Sequence, residues 1–422
     1  MKSIPFLMLL SLLFVTGEGL ACKKAGYEIY LRIDGNRAGK VALAIQHGDQ
    51  THIIDSLPTM KRGIYRFKAP KPLIPGQYLF IQNDQKLFYF LVSFERHTKL
   101  SFTAELHEGG TRHVTAAGDP ENEAYFQMQR FLQDLNQKQL FTPEDVAQTD
   151  RYTDSIAAQH PNTLLAIIAQ NISKPPLPSF MALNDPRVVY TSILPVRIRS
   201  LFTHIVPPHP DWVIPQVDDI LERCTDPLVK AYCGEFLLHY FLSSPIMGME
   251  NAAVHIAKKY LSGELPTSNE TLLMELDNYV AFNESSLMGK TAPELYLPNA
   301  DGYYVSLRKV ESNYTILLFY DEDCAACKEL MPLLCQVYEQ HRSKGVAVYA
   351  VYTQDRRQAW LNYAATLPVG WIHVWDPDFS SGFHKWYHVT GTPRLFLLDR
   401  YKTIIGREID ASILDRILSH QP

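Results

Sequence analysis

Two cysteines separated by two residues, Cys324 and Cys327, stand where an apolar run gives way to a helix-compatible segment. The apolar run is 316–320, and the segment after the cysteines is 328–334. Unpaired backbone N–H groups and partial positive charge at a helix start stabilise a thiolate. The spacing also places both sulfurs on one face within bridging distance. The pattern predicts a redox-active dithiol rather than half of a zinc site, because the remaining cysteines stand singly in the sequence.

The amino-terminal residues have the pattern of an export signal. Lys2 precedes an apolar run over 4–15, and small residues follow up to Ala21. The run is too short to span a bilayer as a mature helix, and no later apolar stretch reaches that length. We therefore expect residues 1–21 to be a signal peptide and the mature protein to be extracytoplasmic, in the periplasm or cell envelope, where disulfides persist.

Two interpretations of the end of this signal stay open. The residues Gly19 to Cys22 resemble a bacterial lipoprotein box, although Gly19 stands where a branched aliphatic residue is expected. Ordinary cleavage after Ala21, at a small-x-small pattern, fits about as well. Cys22 is therefore a candidate lipidation site, and we expect contact with a membrane only through such an anchor.

Composition bounds the size of the fold and excludes one class of partner. A chain of 422 residues with 46% hydrophobic and 20% charged content can build two or three domains, each with its own core. Its formal charge of -5, without a long block of like charge, supplies no basic field for nucleic acid. We expect no nucleic-acid partner, no metal and no cofactor.

The chain is expected to be multidomain. Short alternating runs with turn residues between them predict an N-terminal antiparallel β domain, β-sandwich-like, over 22–118. Apolar residues at helical period, separated by proline-rich joints, predict a central all-α domain over 119–286. From residue 287 strands and helices alternate, which predicts an α/β domain over 287–422.

Three further cysteines are interpreted as structural. Between Cys224 and Cys233, Asp226-Pro227 predicts a helix end that could fold one cysteine back on the other. A structural disulfide and a pair of buried thiols both stay open. Cys335 follows Cys327 by about two helical turns, roughly 12 Å, so we interpret it as a core residue rather than a resolving thiol.

The C-terminal region carries several motifs in a recognisable order. They are Ala292-Pro293-Glu294, Asp301-Gly302, Val305-Ser306-Leu307, the cysteine pair, Pro332, Gly391-Thr392-Pro393 and the strand Leu395 to Asp399. Together they resemble the thioredoxin fold, and more closely its extracytoplasmic TlpA/ResA-like branch. The preceding β and helical domains resemble N-terminal domains of uncharacterised function that are fused to thioredoxins in bacterial envelope proteins.

The resemblance implies a role for each residue of the site. Cys324 would attack a substrate disulfide as a thiolate, and Cys327 would resolve the mixed disulfide. Thr392 and Pro393 would form a cis-proline loop that faces the cysteines and pairs with substrate backbone. The implied partners are protein thiol or disulfide clients and an upstream electron donor.

This sequence departs from the family pattern at two points. Leu318 and Leu330 occupy the two positions where relatives carry a buried carboxylate behind the second cysteine. The acidic run 321–323 stands directly before Cys324, and negative charge opposes a thiolate. We therefore expect the pKa of Cys324 to lie close to that of an ordinary thiol, and the dithiol to be of the reductant or isomerase type, since oxidising enzymes depend on a strongly stabilised thiolate.

Two functions of different classes remain open from the sequence. The first is an extracytoplasmic thiol-disulfide oxidoreductase that acts on protein disulfides. The second is an envelope binding or scaffold protein whose thioredoxin-like domain is catalytically silent, because fold does not fix function. A peroxidase would need threonine and proline ahead of its reactive cysteine, and the residues 320–323 offer neither.

Overall fold

A computed structural model describes residues 26–35, 39–61, 63–96, 98–107, 110–138, 142–172, 174–261 and 270–420. The predicted signal peptide and Cys22 lie outside these residues. The chain divides into two compact units. The first comprises the described part of Met1–Val206 together with Asp218–Cys233, and the second comprises Pro207–Val217 with the described part of Gly234–Pro422.

The first unit begins with eight strands among its described residues. They are β1 (Tyr27–Asp34), β2 (Val41–His47), β3 (Gln50–Leu57), β4 (Ile64–Ala69), β5 (Gly76–Gln82), β6 (Gln85–Val92), β7 (Thr98–His107) and β8 (Gly110–Ala116). One sheet has the order β4-β1-β7-β8 and the other the order β3-β2-β5-β6. The pairing of β1 with β7 is parallel, and the other pairings in these sheets are antiparallel.

Both sheets contribute side chains to a single hydrophobic core. Alternate residues of β1 and β4 point inward, as the period of two in their sequences predicts. The ring of Phe102 on β7 lies 4.8 Å from that of Phe90 on β6, with the ring planes tilted by 45°, so aromatic residues of the two sheets are in contact. Phe80 also lies in this cluster and is fully buried. These observations confirm the predicted N-terminal β domain.

The middle of the chain is helical, as predicted. Its α-helices are α1 (Pro120–Asn136), α2 (Pro143–Gln159), α3 (Leu164–Ile172), α4 (Ile193–His204), α5 (Pro210–Arg223), α6 (Pro227–Leu242), α7 (Met249–Ile256) and α8 (Glu270–Asn283). The start of α2 is fixed by a capping box between Thr142 and Asp145. Helices α1 to α3 pack against the β core, whereas α7 and α8 belong to the second unit. The exact domain boundaries at 118 and 286 remain predictions.

The second unit contains the predicted α/β arrangement. Its strands are β9 (Tyr296–Pro298), β10 (Tyr304–Ser306), β11 (Tyr314–Tyr320), β12 (Val346–Tyr352), β13 (Ile372–Trp375), β14 (Arg394–Asp399) and β15 (Ile404–Arg407). Its later helices are α9 (Ala325–His341), α10 (Arg357–Ala364), α11 (Phe383–Trp386) and α12 (Ala411–Ser419). The five-stranded sheet has the order β13-β12-β11-β14-β15, with β11 parallel to β12 and antiparallel to β14.

Apolar side chains cover both faces of this sheet. On β11, Ile316 and Leu318 face the core formed with α9, α10 and α12, whereas Leu317 and Phe319 face the core formed with α11. A strand buried on both faces is expected to be continuously apolar, and 316–320 is fully buried. This confirms the predicted thioredoxin-like domain with a mixed sheet. Within the part of the chain that the structure describes, every helix lacks the combination of length and apolarity needed to cross a bilayer.

A buried histidine gives the second unit a specific dependence on pH. Neither ring nitrogen of His373, on β13, has a hydrogen-bond partner, and burial lowers its pKa to about 4. An unfolded histidine titrates near 6.5, so between these pH values the unfolded chain binds more protons than the folded one. The free energy of unfolding is therefore highest above pH 6.5 and falls as the pH drops toward 4. His373 accounts for about 3 kcal/mol of this fall.

The replacement His373→Phe is expected to remove that part of the pH dependence. All five tryptophans lie in the second unit, so urea unfolding followed by tryptophan fluorescence reports on it. Between pH 7 and pH 4.5 the variant should lose about 2–3 kcal/mol less stability than the wild type. His384→Phe, at an exposed position, is the control and should keep the wild-type dependence. Equal losses in His373→Phe and the wild type would contradict the assignment.

Candidate active site

The two cysteines of the motif lie at the junction of β11 and α9. Cys324 is the residue before the first turn of α9, and Cys327 lies within that turn. The backbone N–H of Cys327 donates to Sγ of Cys324 at 3.4 Å. N–H groups in the first turn of a helix have no partner within the helix, so the side chain that precedes the turn accepts from them. Cys324 is partly exposed, whereas Cys327 is fully buried. Solvent and substrate can therefore reach the first sulfur and not the second.

A distant loop completes the site. The Cys324 thiol donates to the backbone carbonyl of Thr392 at 3.1 Å, across 68 residues of sequence. The side chain of Thr392 also acts to lower the pKa of both thiols. The peptide bond between Thr392 and Pro393 is cis. The structure thus brings Cys324, Cys327 and the 392–393 loop together, and the substrate-binding role of that loop remains a proposal.

The two thiols differ in their readiness to ionise. Partial burial acts to raise the pKa of Cys324, but hydrogen bonds from the N–H of Cys327, from Thr392 and from the N–H of Ala326 lower it, and the net pKa is below the ordinary value. Burial raises the pKa of Cys327 to about 12. At neutral pH the exposed sulfur is therefore the better nucleophile, and the buried sulfur holds its proton.

The acidic run is paired with a cation that the sequence analysis did not anticipate. The carboxylates of Asp321 and Glu322 lie 3.2 and 3.0 Å from the guanidinium of Arg356, and Asp323 also pairs with it. Hydrogen bonding to Arg356 lowers the pKa of Asp323. The expectation of an ordinary pKa at Cys324 was wrong, because hydrogen bonds at the helix start lower this pKa, and Arg356 offsets part of the negative charge of the run.

Arg356 is a residue of the site that the sequence analysis missed. It follows β12 by four residues, and the acidic run follows β11 directly. Parallel neighbouring strands end at the same edge of a sheet, so residues after both strands meet there. The order of strands could have located Arg356, but only once the parallel pairing of β11 with β12 was assumed.

The surroundings of Cys327 are apolar, as predicted. Leu318 is fully buried, and Leu330 packs against the same core as Cys327. Cys335 is partly buried and packs against that core as well. Burial and then the proximity of Cys327 raise the pKa of Tyr363, so its hydroxyl stays protonated beside the sulfur. Among the described residues, no group of three or more His, Cys, Asp or Glu side chains could hold a metal.

The replacement Arg356→Met is expected to raise the pKa of Cys324. The acidic run would lose the guanidinium that its three carboxylates share, keeping only Lys328 at 3.7 Å from Asp323, and its negative charge would disfavour the thiolate. Wild-type alkylation by iodoacetamide should rise with pH to a midpoint below that of an ordinary cysteine. In the variant the midpoint should move upward, and the rate at pH 7 should fall by about threefold or more.

Arg357→Met is the matched control for this experiment. Its guanidinium donates to the carbonyl of Ala300 at 3.4 Å and forms no contact with the acidic run among the described bonds. Its alkylation profile, read by mass spectrometry of the Cys324 peptide, should equal that of the wild type. A profile in Arg356→Met that also equals the wild type would contradict the role given to this guanidinium.

Comparison with known proteins places similarity in the same part of the chain. Residues 288–406 match the sequence model of the AhpC/TSA family. The thiol-disulfide oxidoreductase ResA of a Bacillus cereus strain is 22% identical over 149 residues, which are 34% of this chain and 76% of ResA. ResA of Bacillus subtilis (strain 168) is 27% identical over 139 residues, which are 32% of this chain and 76% of that protein.

Two solved structures are also similar. A domain of a possible thiol-disulfide isomerase from Cytophaga hutchinsonii ATCC 33406 is 35% identical with a TM-score of 0.30, covering 32% of this chain and 91% of that one. A thioredoxin-like protein from Bacteroides caccae ATCC 43185 is 17% identical with a TM-score of 0.41, covering 72% of this chain and 95% of that one.

Proposed function

We propose that the C-terminal part of this chain, where residues 288–406 match the AhpC/TSA family model and ResA-like thiol-disulfide oxidoreductases are among the homologues, exchanges disulfides of client proteins through Cys324 and Cys327. The observation that carries the proposal is the asymmetry of the two thiols. Cys324 is partly exposed with a lowered pKa, and Cys327 is buried with a pKa of about 12. Such a pair can attack with one sulfur and resolve with the other.

The proposed reduction proceeds in two exchange steps. The Cys324 thiolate attacks one sulfur of the client disulfide, which forms a mixed disulfide and releases the other client sulfur as a thiolate. The Cys327 thiol then gives up its proton and attacks Sγ of Cys324, which closes the internal disulfide and releases the second client thiol. The client gains two electrons and two protons, and an upstream dithiol returns the site to its reduced form.

We place Thr392 and Pro393 at the entrance for the client backbone. The carbonyl of Thr392 accepts a hydrogen bond from the attacking thiol, so this loop is within reach of any chain bound at Cys324. Extended substrate backbone can pair with such a loop in the way a strand pairs with a sheet edge. The loop would orient the client sulfur for in-line attack.

The direction of transfer follows from how the thiolate is stabilised. The groups that lower the pKa of Cys324 are backbone N–H groups, Thr392 and the second thiol. A strongly oxidising enzyme needs a much more stable thiolate, supported by positive charge. The proposal is therefore a reductant or isomerase, with a potential below that of disulfide-forming enzymes.

The location outside the cytoplasm is part of the proposal. It is supported by the export pattern of residues 1–21 and by the chemistry, since protein disulfides persist in that compartment. An anchor at Cys22 would hold the protein at a membrane of the cell envelope. Mass spectrometry of the mature protein from its host tests both points, because a lipidated amino terminus at Cys22 differs in mass from an unmodified one.

Insulin reduction tests the proposed activity. With dithiothreitol as the electron donor, the full-length protein should accelerate precipitation of the insulin B chain over the uncatalysed rate. Equilibration with glutathione buffers should then give a reduction potential well below that of a strong oxidant. Absence of acceleration, together with a Cys324–Cys327 disulfide that resists dithiothreitol, would instead support a catalytically silent scaffold.

A further inference from the structure

A second pair of cysteines lies together in the first unit. Cys224 directly follows α5, and Cys233 lies in the second turn of α6. Both are buried, with 6% and 0% of their surface exposed. Neither residue takes part in the site at Cys324, and their burial leaves no path for a protein client. The structure thus holds two adjacent thiols to which the proposed function assigns no role.

The turn between the two helices brings these thiols together. The side chain of Asp226 accepts hydrogen bonds from the N–H groups of Leu228 and Val229, at 3.0 and 3.1 Å, and so caps the start of α6. The N–H of Thr225 donates to the side chain of Asn184 at 2.8 Å, which fixes the other side of the turn. A single continuous helix would hold the cysteines about 13 Å apart, but α5 ends at Arg223 and α6 begins at Pro227, so the helix is broken between them.

The two thiols interact with each other and, through Cys224, with the end of α5. The Cys224 thiol donates to the carbonyl of Ile220 at 3.2 Å. The side chains of Cys224 and Cys233 interact, which lowers the pKa of Cys224 and, together with burial, raises that of Cys233. Cysteine side chains that interact directly are placed to form a disulfide, whose S–S length is about 2.05 Å.

We propose that Cys224 and Cys233 form an intramolecular disulfide that closes the turn between α5 and α6. The oxidant is a small-molecule or protein disulfide. The Cys224 thiolate attacks it and releases one thiol, and the Cys233 thiolate then attacks Sγ of Cys224 and releases the second thiol. Two protein thiols lose two electrons and two protons to the oxidant, which is reduced to two thiols.

The bond is structural rather than catalytic. Thiol-disulfide exchange requires an attacking thiolate to reach a sulfur. Because both residues are buried, an external thiolate cannot reach either sulfur in the folded protein. We therefore expect the bond to form while the chain folds and to resist reduction afterwards. It would add a covalent link between the end of α5 and the second turn of α6, around a turn where Asp226 and Asn184 already accept hydrogen bonds.

The test uses the position of the cleavage sites in this chain. Trypsin cleaves after Arg223, Lys230 and Lys258, so Cys224 and Cys233 fall on separate peptides, 224–230 and 231–258. The full chain is denatured, reduced and refolded in an oxidising glutathione buffer, and remaining thiols are alkylated before digestion. The expected product is the two peptides joined, at two hydrogens below their summed mass, with a linked-to-alkylated ratio above about ten.

The same digest is repeated on a chain with Cys324→Ser and Cys327→Ser, so that the result does not depend on the proposed oxidoreductase site. Linkage should persist there and in Cys335→Ser, and Cys224→Ser should abolish it. Folded oxidised protein treated with dithiothreitol should keep the link far longer than that of Cys324 and Cys327. Recovery of both peptides alkylated from the refolded wild type, or linkage of either to the Cys335 peptide, would overturn the inference.

Discussion

Replacing Cys324 by serine is expected to lower the insulin-reducing turnover by at least about a thousandfold. The hydroxyl of serine does not ionise near neutral pH and lacks the nucleophilicity of a thiolate, so the first exchange step stops. The buried Cys327 cannot substitute for it, since its pKa of about 12 keeps its proton in place. The measurement is the initial rate of insulin reduction at several protein concentrations.

Cys335→Ser is the matched control for this loss. It removes a thiol from the same helix and the same core, but it leaves the pair at the start of α9 intact. Its turnover should stay within about twofold of the wild type. Comparable losses in the two variants would mean that the assay reports folding rather than attack by Cys324.

Replacing Trp360 by alanine is expected to destabilise the second unit by about 3–5 kcal/mol. Only 1% of this side chain is exposed, and its rings lie 5.5 Å from those of Trp375 and 6.3 Å from that of Tyr352. Truncation would leave a large cavity between α10 and the sheet, which a close-packed core fills poorly. Urea unfolding followed by the remaining tryptophans measures the loss.

Trp386→Ala provides the comparison for that experiment. Trp386 is 40% exposed at the end of α11, where solvent can replace the lost contacts. Its truncation should cost less than about 1 kcal/mol. Equal losses at the two positions would contradict the assignment of Trp360 to the core of the redox domain.

The sequence predicted the local parts of the site well. A buried apolar strand followed by two cysteines at a helix start is a local pattern, and the structure places β11 and α9 on either side of Cys324 as expected. The contact with Thr392 joins residues 68 positions apart. No local pattern carries that information, and the resemblance to a known family supplied it.

The sequence analysis failed for the contact between the acidic run and Arg356, because the fold brings these charges together from distant parts of the sequence. The acidic run before Cys324 suggests an unfavourable field only while its partner is unknown. Arg356 reaches it because β11 and β12 are parallel neighbours, and that pairing is a tertiary property. Side-chain alternation with a period of two is the same in parallel and antiparallel strands, which is also why the parallel pairing of β1 with β7 was not predicted.

The sequence pattern alone also could not show which helices belong to which of the two units. Helical period shows that α1 and α8 are helices with an apolar face, but it does not say which core that face joins. The structure assigns α1 to the β core of the first unit and α8 to the second unit. Turn chemistry was more informative, because Asp226-Pro227 correctly predicted the break between α5 and α6.

The most direct test of the account is the site of the mixed disulfide. The variant Cys327→Ser cannot resolve, so a peptide disulfide offered to it should remain attached. Digestion and mass spectrometry should find the peptide bonded to Cys324 in nearly all of the trapped protein, and little of it on Cys335. Failure to trap the peptide, or attachment at any cysteine other than Cys324, would contradict the central claim that this exposed sulfur begins the exchange.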